Sequence, residues 1–297
     1  MAVTLEQLVR SVNSGWMENF ELVTLRGGAR SIRSRVHGET MHIGTDPRTE
    51  ALELHIGQQH LVEKVLEWEG GKQPFVIWDI GLGPAGNAIT AIESLQGSKT
   101  HIEIHSFEIS TEVLEFALQN AQALEYLSGW ESVISELLEE GVVYPRANLR
   151  WELHRGDFTR LPLNEPPPSA IFFDPYSPAR NLEMWNVETF RSIWKVVSDP
   201  ASPSCLMTNY TRSTAVRVTM AFAGWFVGRG IPTGDKSETT IASNRLELLA
   251  YPLGRSWLSR VHSSTNACPI RGRNDERGPI APEDFATLRA LPQFHAL

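Results

Sequence analysis

The stretch Val76-Ile77-Trp78-Asp79-Ile80-Gly81-Leu82-Gly83-Pro84-Ala85-Gly86-Asn87 decides how this chain is organised. A continuous apolar run that gives way to closely spaced glycines reads as a buried strand entering a glycine-rich turn. Glycine lets backbone approach a ligand closely, although the same turn also serves simple strand-to-helix packing. The motif is a poor G-x-G-x-x-G, because Pro84 removes an N–H that a pyrophosphate would use. A cofactor without phosphates therefore fits better than a dinucleotide.

Outward from this turn the pattern alternates. Strands are expected at Phe75 to Ile80, Ile102 to Phe107, Leu149 to Leu153, Ala170 to Phe173 and Cys205 to Asn209. Helices are expected at Gly86 to Leu95, Thr111 to Leu127, Val187 to Val196 and Thr214 to Ala223, with a helical segment at Ile134 to Leu138. Two last strands, Trp225 to Val227 and Thr239 to Ala242, are close enough in sequence to pair antiparallel. Strands separated by helices imply right-handed crossovers and a mostly parallel sheet covered on both faces. The expected fold is α/β, a doubly wound seven-stranded sheet of the class I, Rossmann-like methyltransferase type with a small N-terminal extension.

Residues 1–45 read as that extension. It holds a helix carrying Leu5, Leu8, Val9 and Val12, then a hairpin of Phe20 to Thr24 and Ser31 to Val36 around Gly27-Gly28. Residues 46–250 read as the main domain, opened by one amphipathic helix from Glu50 to Trp68, and residues 251–297 as a C-terminal extension. The 297 residues are 41% hydrophobic and 21% charged, which places the chain among ordinary globular proteins. No apolar run has the ~20 residues that a membrane span needs, and the start lacks a basic signal-peptide region. With Cys205 and Cys268 far apart, reduced thiols and a cytoplasmic location are expected.

Ligands of such sheets bind beyond the carboxyl ends of the strands. Asp79, Gly81, Glu108, Asp157 and Asp174 all fall at or just past those ends. Glu108 suits a ribose diol, and also a surface helix cap. Gly156-Asp157-Phe158 offers a carboxylate for an exocyclic amine and a ring to pack against a base. Ile171-Phe172-Phe173-Asp174-Pro175-Tyr176 is an apolar strand stopped at Asp-Pro, which delivers a single carboxylate into a loop rich in aromatics. Glycine turn, acidic strand end, Gly-Asp and Asp-Pro in this order fit S-adenosylmethionine. The expected cofactor contacts are Asp79, Gly81, Gly83, Gly86, Asn87, Glu108, Asp157, Phe158 and Asp174.

These motifs resemble the methyltransferase domain of the bifunctional tRNA wobble-uridine modification proteins of the MnmC family, over about residues 40–245. The most specific part is the family's Asp-Gly/Pro-Phe-x-Pro-x-x-Asn-Pro-x-Met-Trp signature, matched by Asp174, Pro178, Asn181, Met184 and Trp185. Gly224 to Ser243, with Gly228-Arg229-Gly230 and Lys236, is similar to the family's closing segment. The chain departs where the family's Gly-Phe-Gly-Thr-Gly turn is Gly81-Leu82-Gly83-Pro84-Ala85 and where the Phe after the Asp is Tyr176, one step later. The resemblance implies methyl transfer from S-adenosylmethionine to the aminomethyl group of tRNA wobble uridine. Asp174 would then receive the amine proton, Tyr176 would share in catalysis, and Tyr176, Pro178, Asn181, Trp185 and Tyr210 would contact the substrate.

A net charge of −8 keeps a small-molecule amine open as the substrate, since tRNA needs local positive charge. Arg26, Arg30, Arg33 and Arg35 could supply it, or could form a solvated hairpin face paired with Glu18, Glu21 or Glu39. A second basic run is Arg255, Arg260, Arg271, Arg273 and Arg277. A nicotinamide-dependent oxidoreductase is the reading from another class. Among the histidines, His37, His42, His55 and His60 lack zinc-site spacing, so no metal is expected. His55 and His60 read as surface or capping residues.

Overall fold

The computed structural model describes residues 15–42, 46–71, 73–234, 237–272 and 277–295. The expected helix through Leu5 to Val12, together with Lys236 and Arg273, lies outside the described residues. An eight-stranded sheet of order β10-β11-β9-β8-β4-β5-β7-β6 forms the centre. Its strands are β4 (Phe75–Ile80), β5 (Ile102–Glu108), β6 (Val142–Arg146), β7 (Leu149–Arg155), β8 (Ala170–Phe173), β9 (Leu206–Asn209), β10 (Phe226–Gly230) and β11 (Thr239–Ser243). β4, β5, β7, β8 and β9 run parallel, while β11 is antiparallel to both its neighbours, β9 and β10. This is the expected doubly wound architecture with one strand more. The addition, β6, pairs antiparallel with β7 at the far edge. It carries Pro145 and an exposed Tyr144, which suit an edge strand and hide its signal in the sequence.

All six residues of β4 are buried, because helices cover both faces of the sheet. Phe75 and Ile77 join a core with the helices Gly86–Ser94, Glu112–Gln119 and Glu131–Glu140. Val76, Trp78 and Ile80 face a second core with Phe190 and Ile193 of the helix Val187–Val197 and Val216 and Met220 of Thr214–Phe222. Leu253, Trp257, Val261, Leu288 and Phe294 of the C-terminal stretch enter that same second core. Gln293 there pairs with the backbone of Val227 on β10, accepting from its N–H at 2.8 Å and donating to its carbonyl at 2.7 Å.

The single helix expected from Glu50 to Trp68 is interrupted. A helix at Pro47–Ala51 widens into π geometry over Leu52–Gly57, and His60, in the left-handed region (φ 50°), precedes a new helix at Leu61–Leu66. The interruption turns polar side chains inward. Gln59 donates to the Ile171 carbonyl at 3.0 Å and to Thr208 Oγ1 at 2.8 Å, and His55 Nδ1 lies 2.8 Å from the same hydroxyl. His55 is thus no surface residue. It is fully buried against Phe172, and burial pushes its pKa down to about 3, so it is neutral. His60 is exposed, as expected.

The N-terminal hairpin forms with β1 (Phe20–Thr24) and β2 (Arg30–Ser34), and a two-residue β3 (Glu39–Thr40) extends it. Ile32 anchors it in the first core, and Phe20 packs on Phe116 at 5.7 Å. The hairpin lies along the carboxyl edge of the large sheet.

Candidate active site

Strand register assembles the site. Ile80 of β4 pairs with Phe107 of β5 on one side and with Phe173 of β8 on the other. Glu108 of β5 pairs with Arg155 of β7, and Phe172 of β8 with Thr208 of β9. The next residues along each strand, Gly81, Glu108, Gly156, Asp174 and Tyr210, therefore emerge side by side. Strand order reverses between β4 and β8, and at that switch point Gly81 meets Asp174. A cavity of about 500 Å³ opens there.

Gly81 adopts φ +90°, and a Cβ on it would sit 2.9 Å from the Asp174 carbonyl oxygen and the Pro175 nitrogen. Its missing side chain makes room for the end of β8. Gly83, at φ +53°, faces nearly open space, its virtual Cβ 4.0 Å from Met41 Sδ, and its N–H donates to Glu108 Oε2 at 2.9 Å. Where the related family keeps a glycine, Ala85 holds the left-handed conformation (φ 66°) and begins the helix Gly86–Ser94. Glu108 also accepts from the N–H groups of Ile109 at 2.9 Å and Ser110 at 3.2 Å. These three bonds occupy most of the ~four acceptor positions of its carboxylate. Burial raises the Glu108 pKa above the ordinary carboxylate value, against the pull of the three N–H groups.

Asp157 Oδ1 accepts from the backbone N–H and hydroxyl of Thr159, and Oδ2 pairs with Arg160 at 3.1 Å. Phe158 stands edge-on to Phe107 at 5.1 Å, and both rings line the cavity. Asn87 donates to Asp174 Oδ2 at 2.8 Å. Tyr176 has His37 stacked on its ring, centroids 4.1 Å apart, and burial pushes its phenol up to about 12. Tyr210 donates to the Pro175 carbonyl at 2.9 Å. Gly81, Gly83, Asn87, Glu108, Asp157, Phe158, Asp174, Tyr176, Asn181 and Tyr210 all line the cavity.

Four expected site residues fall outside the lining. Asp79 is fully buried beneath it, accepting from Ser106 Oγ at 2.9 Å, and burial raises its pKa to about 8. Trp185 is fully buried behind Tyr176. Its indole N–H holds the Tyr176 carbonyl at 2.8 Å while its ring meets Phe173 at 5.0 Å and Tyr210 at 5.7 Å, so it braces the loop from behind. Pro178 lies beyond the lining. Gly86 packs against Pro47 and His42, where a Cβ would come within 3.2 Å of the Pro47 Cβ.

The hairpin and the segment after it contribute residues that sequence reasoning missed. Glu39 accepts from the backbone N–H of Ser177 at 3.0 Å and from its hydroxyl, which ties the hairpin to the Asp174 loop. His42, left-handed at φ 54° and buried, places Nδ1 3.6 Å from Glu50 Oε2. Burial alone would depress the His42 pKa, but Glu50, Asp174 and Asp46 outweigh it and hold the value above normal. Glu39, His42, Glu50 and Asp174 share one cavity wall system, an arrangement suited to a cationic group. The Glu39-to-Met41 stretch is too short to register as a strand, and nothing in the sequence couples it to residues more than a hundred positions away.

S-adenosyl-L-methionine fits the residues present. The cavity has a glycine turn with a helix start, an acidic strand end and a carboxylate beside a phenylalanine ring, each with faces on the same space. A family of S-adenosyl-L-methionine-dependent methyltransferases matches over residues 119–245. Two curated relatives named tRNA 5-methylaminomethyl-2-thiouridine biosynthesis bifunctional protein MnmC are similar. That of Pseudomonas fluorescens (strain Pf0-1) is 25% identical over 238 residues, 75% of this chain and 34% of the relative. That of Methylibium petroleiphilum is 24% identical over 246 residues, 78% of this chain and 36% of the relative. The chain thus spans about a third of the length of these relatives. The crystal structure of MNMC2 from Aquifex aeolicus superposes with a TM-score of 0.64 at 20% identity, covering 91% of this chain and 83% of that one, and so shares the fold. The sheet order, the cradle at its switch point and the matched segment agree: the chain has the fold of the MnmC-like, S-adenosyl-L-methionine-dependent methyltransferases and is similar to them in sequence.

Proposed function

We propose that this enzyme methylates an amine nitrogen, that of the aminomethyl group on the wobble uridine of tRNA, yielding methylaminomethyl-uridine. The observation that carries the reading is the convergence of Asp174, Glu39 and Glu50 on one cavity, which attracts an aminium. When bound, S-adenosylmethionine supplies a methyl group on a sulfonium, open to in-line attack. The backbone of the Gly81–Gly83 turn and the start of the helix Gly86–Ser94 suit the methionine carboxylate. The remaining acceptor capacity of Glu108 suits the ribose diol, and Asp157 with Phe158 suits the adenine.

Asp174 binds the aminium and takes or relays its proton, because only the neutral amine offers a lone pair. Asn87 orients that carboxylate through its 2.8 Å bond. The His42–Glu50 pair in the same cavity is a second proton-handling group. Tyr176 and Tyr210 shape the walls. Holding donor and acceptor in line supplies most of the acceleration in such a displacement. A tRNA partner goes with a cytoplasmic location, and among the described residues no helix is long and apolar enough to cross a membrane.

A small-molecule amine is the second reading, favoured by the net charge of −8. It is favoured too by Glu21, which already pairs with Arg35 at 2.9 Å and lies 4.0 Å from Arg33. The test incubates the protein with cofactor and undermethylated tRNA and measures nucleosides by mass spectrometry. Methylaminomethyl-uridine should accumulate, and Asp174→Asn should slow it on the order of 10²-fold or more while cofactor affinity stays within a few-fold. An unmodified tRNA pool would discard the tRNA reading. A fully active Asn variant across pH 6 to 9 would discard the role of Asp174.

A further inference from the structure

We propose that His105, His154 and Glu152 bind a divalent transition-metal ion such as Zn²⁺, on the face of the sheet that the loop after β7 covers. On β5 and β7, Glu103, His105, Arg150, Glu152 and His154 point to one face, while Ile102, Ile104, Leu149 and Trp151 point to the first core. The crossover from β7 to β8 has no helix. It is an irregular stretch that brings Glu165 against the His154 imidazole.

Three ligand atoms already lie close to the edges of a coordination polyhedron. His105 Nδ1 and His154 Nε2 are 3.0 Å apart, and each faces Glu152 Oε2, at 3.4 and 3.5 Å. Tetrahedral Zn²⁺ with bonds of about 2.0–2.1 Å has ligand-to-ligand edges of about 3.3–3.4 Å. The outer nitrogens complete the pattern, with His105 Nε2 3.4 Å from Glu103 Oε2 and His154 Nδ1 3.4 Å from Glu165 Oε1. Carboxylates behind ligating imidazoles are the usual device that fixes tautomer and ring orientation around a metal.

Charge agrees. Glu103, Glu152 and Glu165 against Arg150 leave two negative charges around two imidazoles, which a divalent cation neutralises. Arg150 opposes the ion, since its guanidinium donates to Glu152 Oε2 at 2.8 Å and must move to the other carboxylate oxygen. The imidazole rings now lie nearly parallel, 23° between planes at 5.2 Å, with the facing nitrogens close enough to share a proton. The ion takes the place of that proton, turns both rings toward Glu152 and keeps its fourth position for water. His154 stacks on Phe107 at 4.9 Å, and Phe107 lines the cofactor cavity, so the ion would stiffen that wall from behind.

Calorimetric titration of the metal-free protein with Zn²⁺, alongside visible spectra with Co²⁺, tests the site. One ion per chain should bind, with the strong ligand-field absorption of four-coordinate Co²⁺. His105→Ala and His154→Ala should each weaken binding on the order of 100-fold, and Glu165→Gln about 10-fold. Arg150→Met should tighten it several-fold, a gain that a misfolded variant cannot mimic. Absence of saturable Zn²⁺ binding would overturn the proposal, leaving a proton-sharing histidine pair. Binding that survives in the His105→Ala/His154→Ala double variant would overturn it equally, by placing the ion elsewhere.

Discussion

Replacing Asp79 by Asn should change how stability depends on pH more than it changes cofactor binding. Asp79 is fully buried, its Oδ2 accepts from Ser106 Oγ at 2.9 Å, and Oδ1 has no hydrogen-bond partner among the described residues. Desolvation comes first among the causes that raise its pKa to about 8 from an unfolded value of 3.8, and the Ser106 bond opposes it. Below pH 4 both folded and unfolded states hold the proton. Between about pH 4 and pH 8 the folded protein holds one that the unfolded chain has released, so stability falls as pH rises. The slope is roughly 1.4 kcal/mol per pH unit, or about 2.7 kcal/mol between pH 5.5 and 7.5. Asn has the shape of the protonated acid and no charge, so the variant lacks this contribution. Urea unfolding of the cofactor-free protein at several pH values, wild type beside variant, isolates the difference because every other group titrates in both. Above pH 8 the two curves should run parallel. Parallel curves throughout would show that Asp79 is ionised in the folded state and that its burial is compensated by something the geometry does not contain.

Other substitutions probe the cavity itself. Glu108→Ala should weaken S-adenosylmethionine by about 1.5–3 kcal/mol in calorimetry, since it removes a charged acceptor and frees the Gly83 N–H; unchanged affinity would remove Glu108 from the cofactor site. Gly81→Ala should cost about 2–5 kcal/mol of stability, adding positive-φ strain to an overlap with the Asp174 and Pro175 backbone. Gly83→Ala, with open space around it, should cost only about 1 kcal/mol, and equal losses at the two positions would contradict the packing argument. Exchanging Arg30 and Arg33 for Ala should lower the salt slope of log tRNA affinity by roughly one per lost phosphate contact. Filter binding at two salt concentrations reads this, and an unaltered slope would make the hairpin arginines a solvated face.

The parallel strands were legible because burial on both faces demands continuous apolar runs, and Phe75 to Ile80 and Ala170 to Phe173 are such runs. Their carboxyl ends follow from where those runs stop, which is why Glu108, Asp157 and Asp174 were found from residues alone. The helix break at His60 and the edge strand with Pro145 were not legible. The first satisfies buried partners on β8 and β9, and the second borrows its hydrogen bonds from β7.

Direction and depth belonged to the tertiary structure. Strand periodicity ends at Asp174, so nothing local says that Trp185 turns inward to hold the Tyr176 carbonyl while Asn181 faces the cavity. Asp79 sits one residue before the point where its strand surfaces, and the sheet register alone decides that Gly81 borders the cavity and Asp79 lies beneath it. The acidic wall of Glu39, Glu50 and Asp174 needs the hairpin folded over a sheet end more than a hundred residues away. Alternating apolar runs determined the sheet and the order of its carboxylates. Which of those carboxylates borders the cavity was decided by packing, because a charge acts through distance in space and the chain's own pattern records only distance along it.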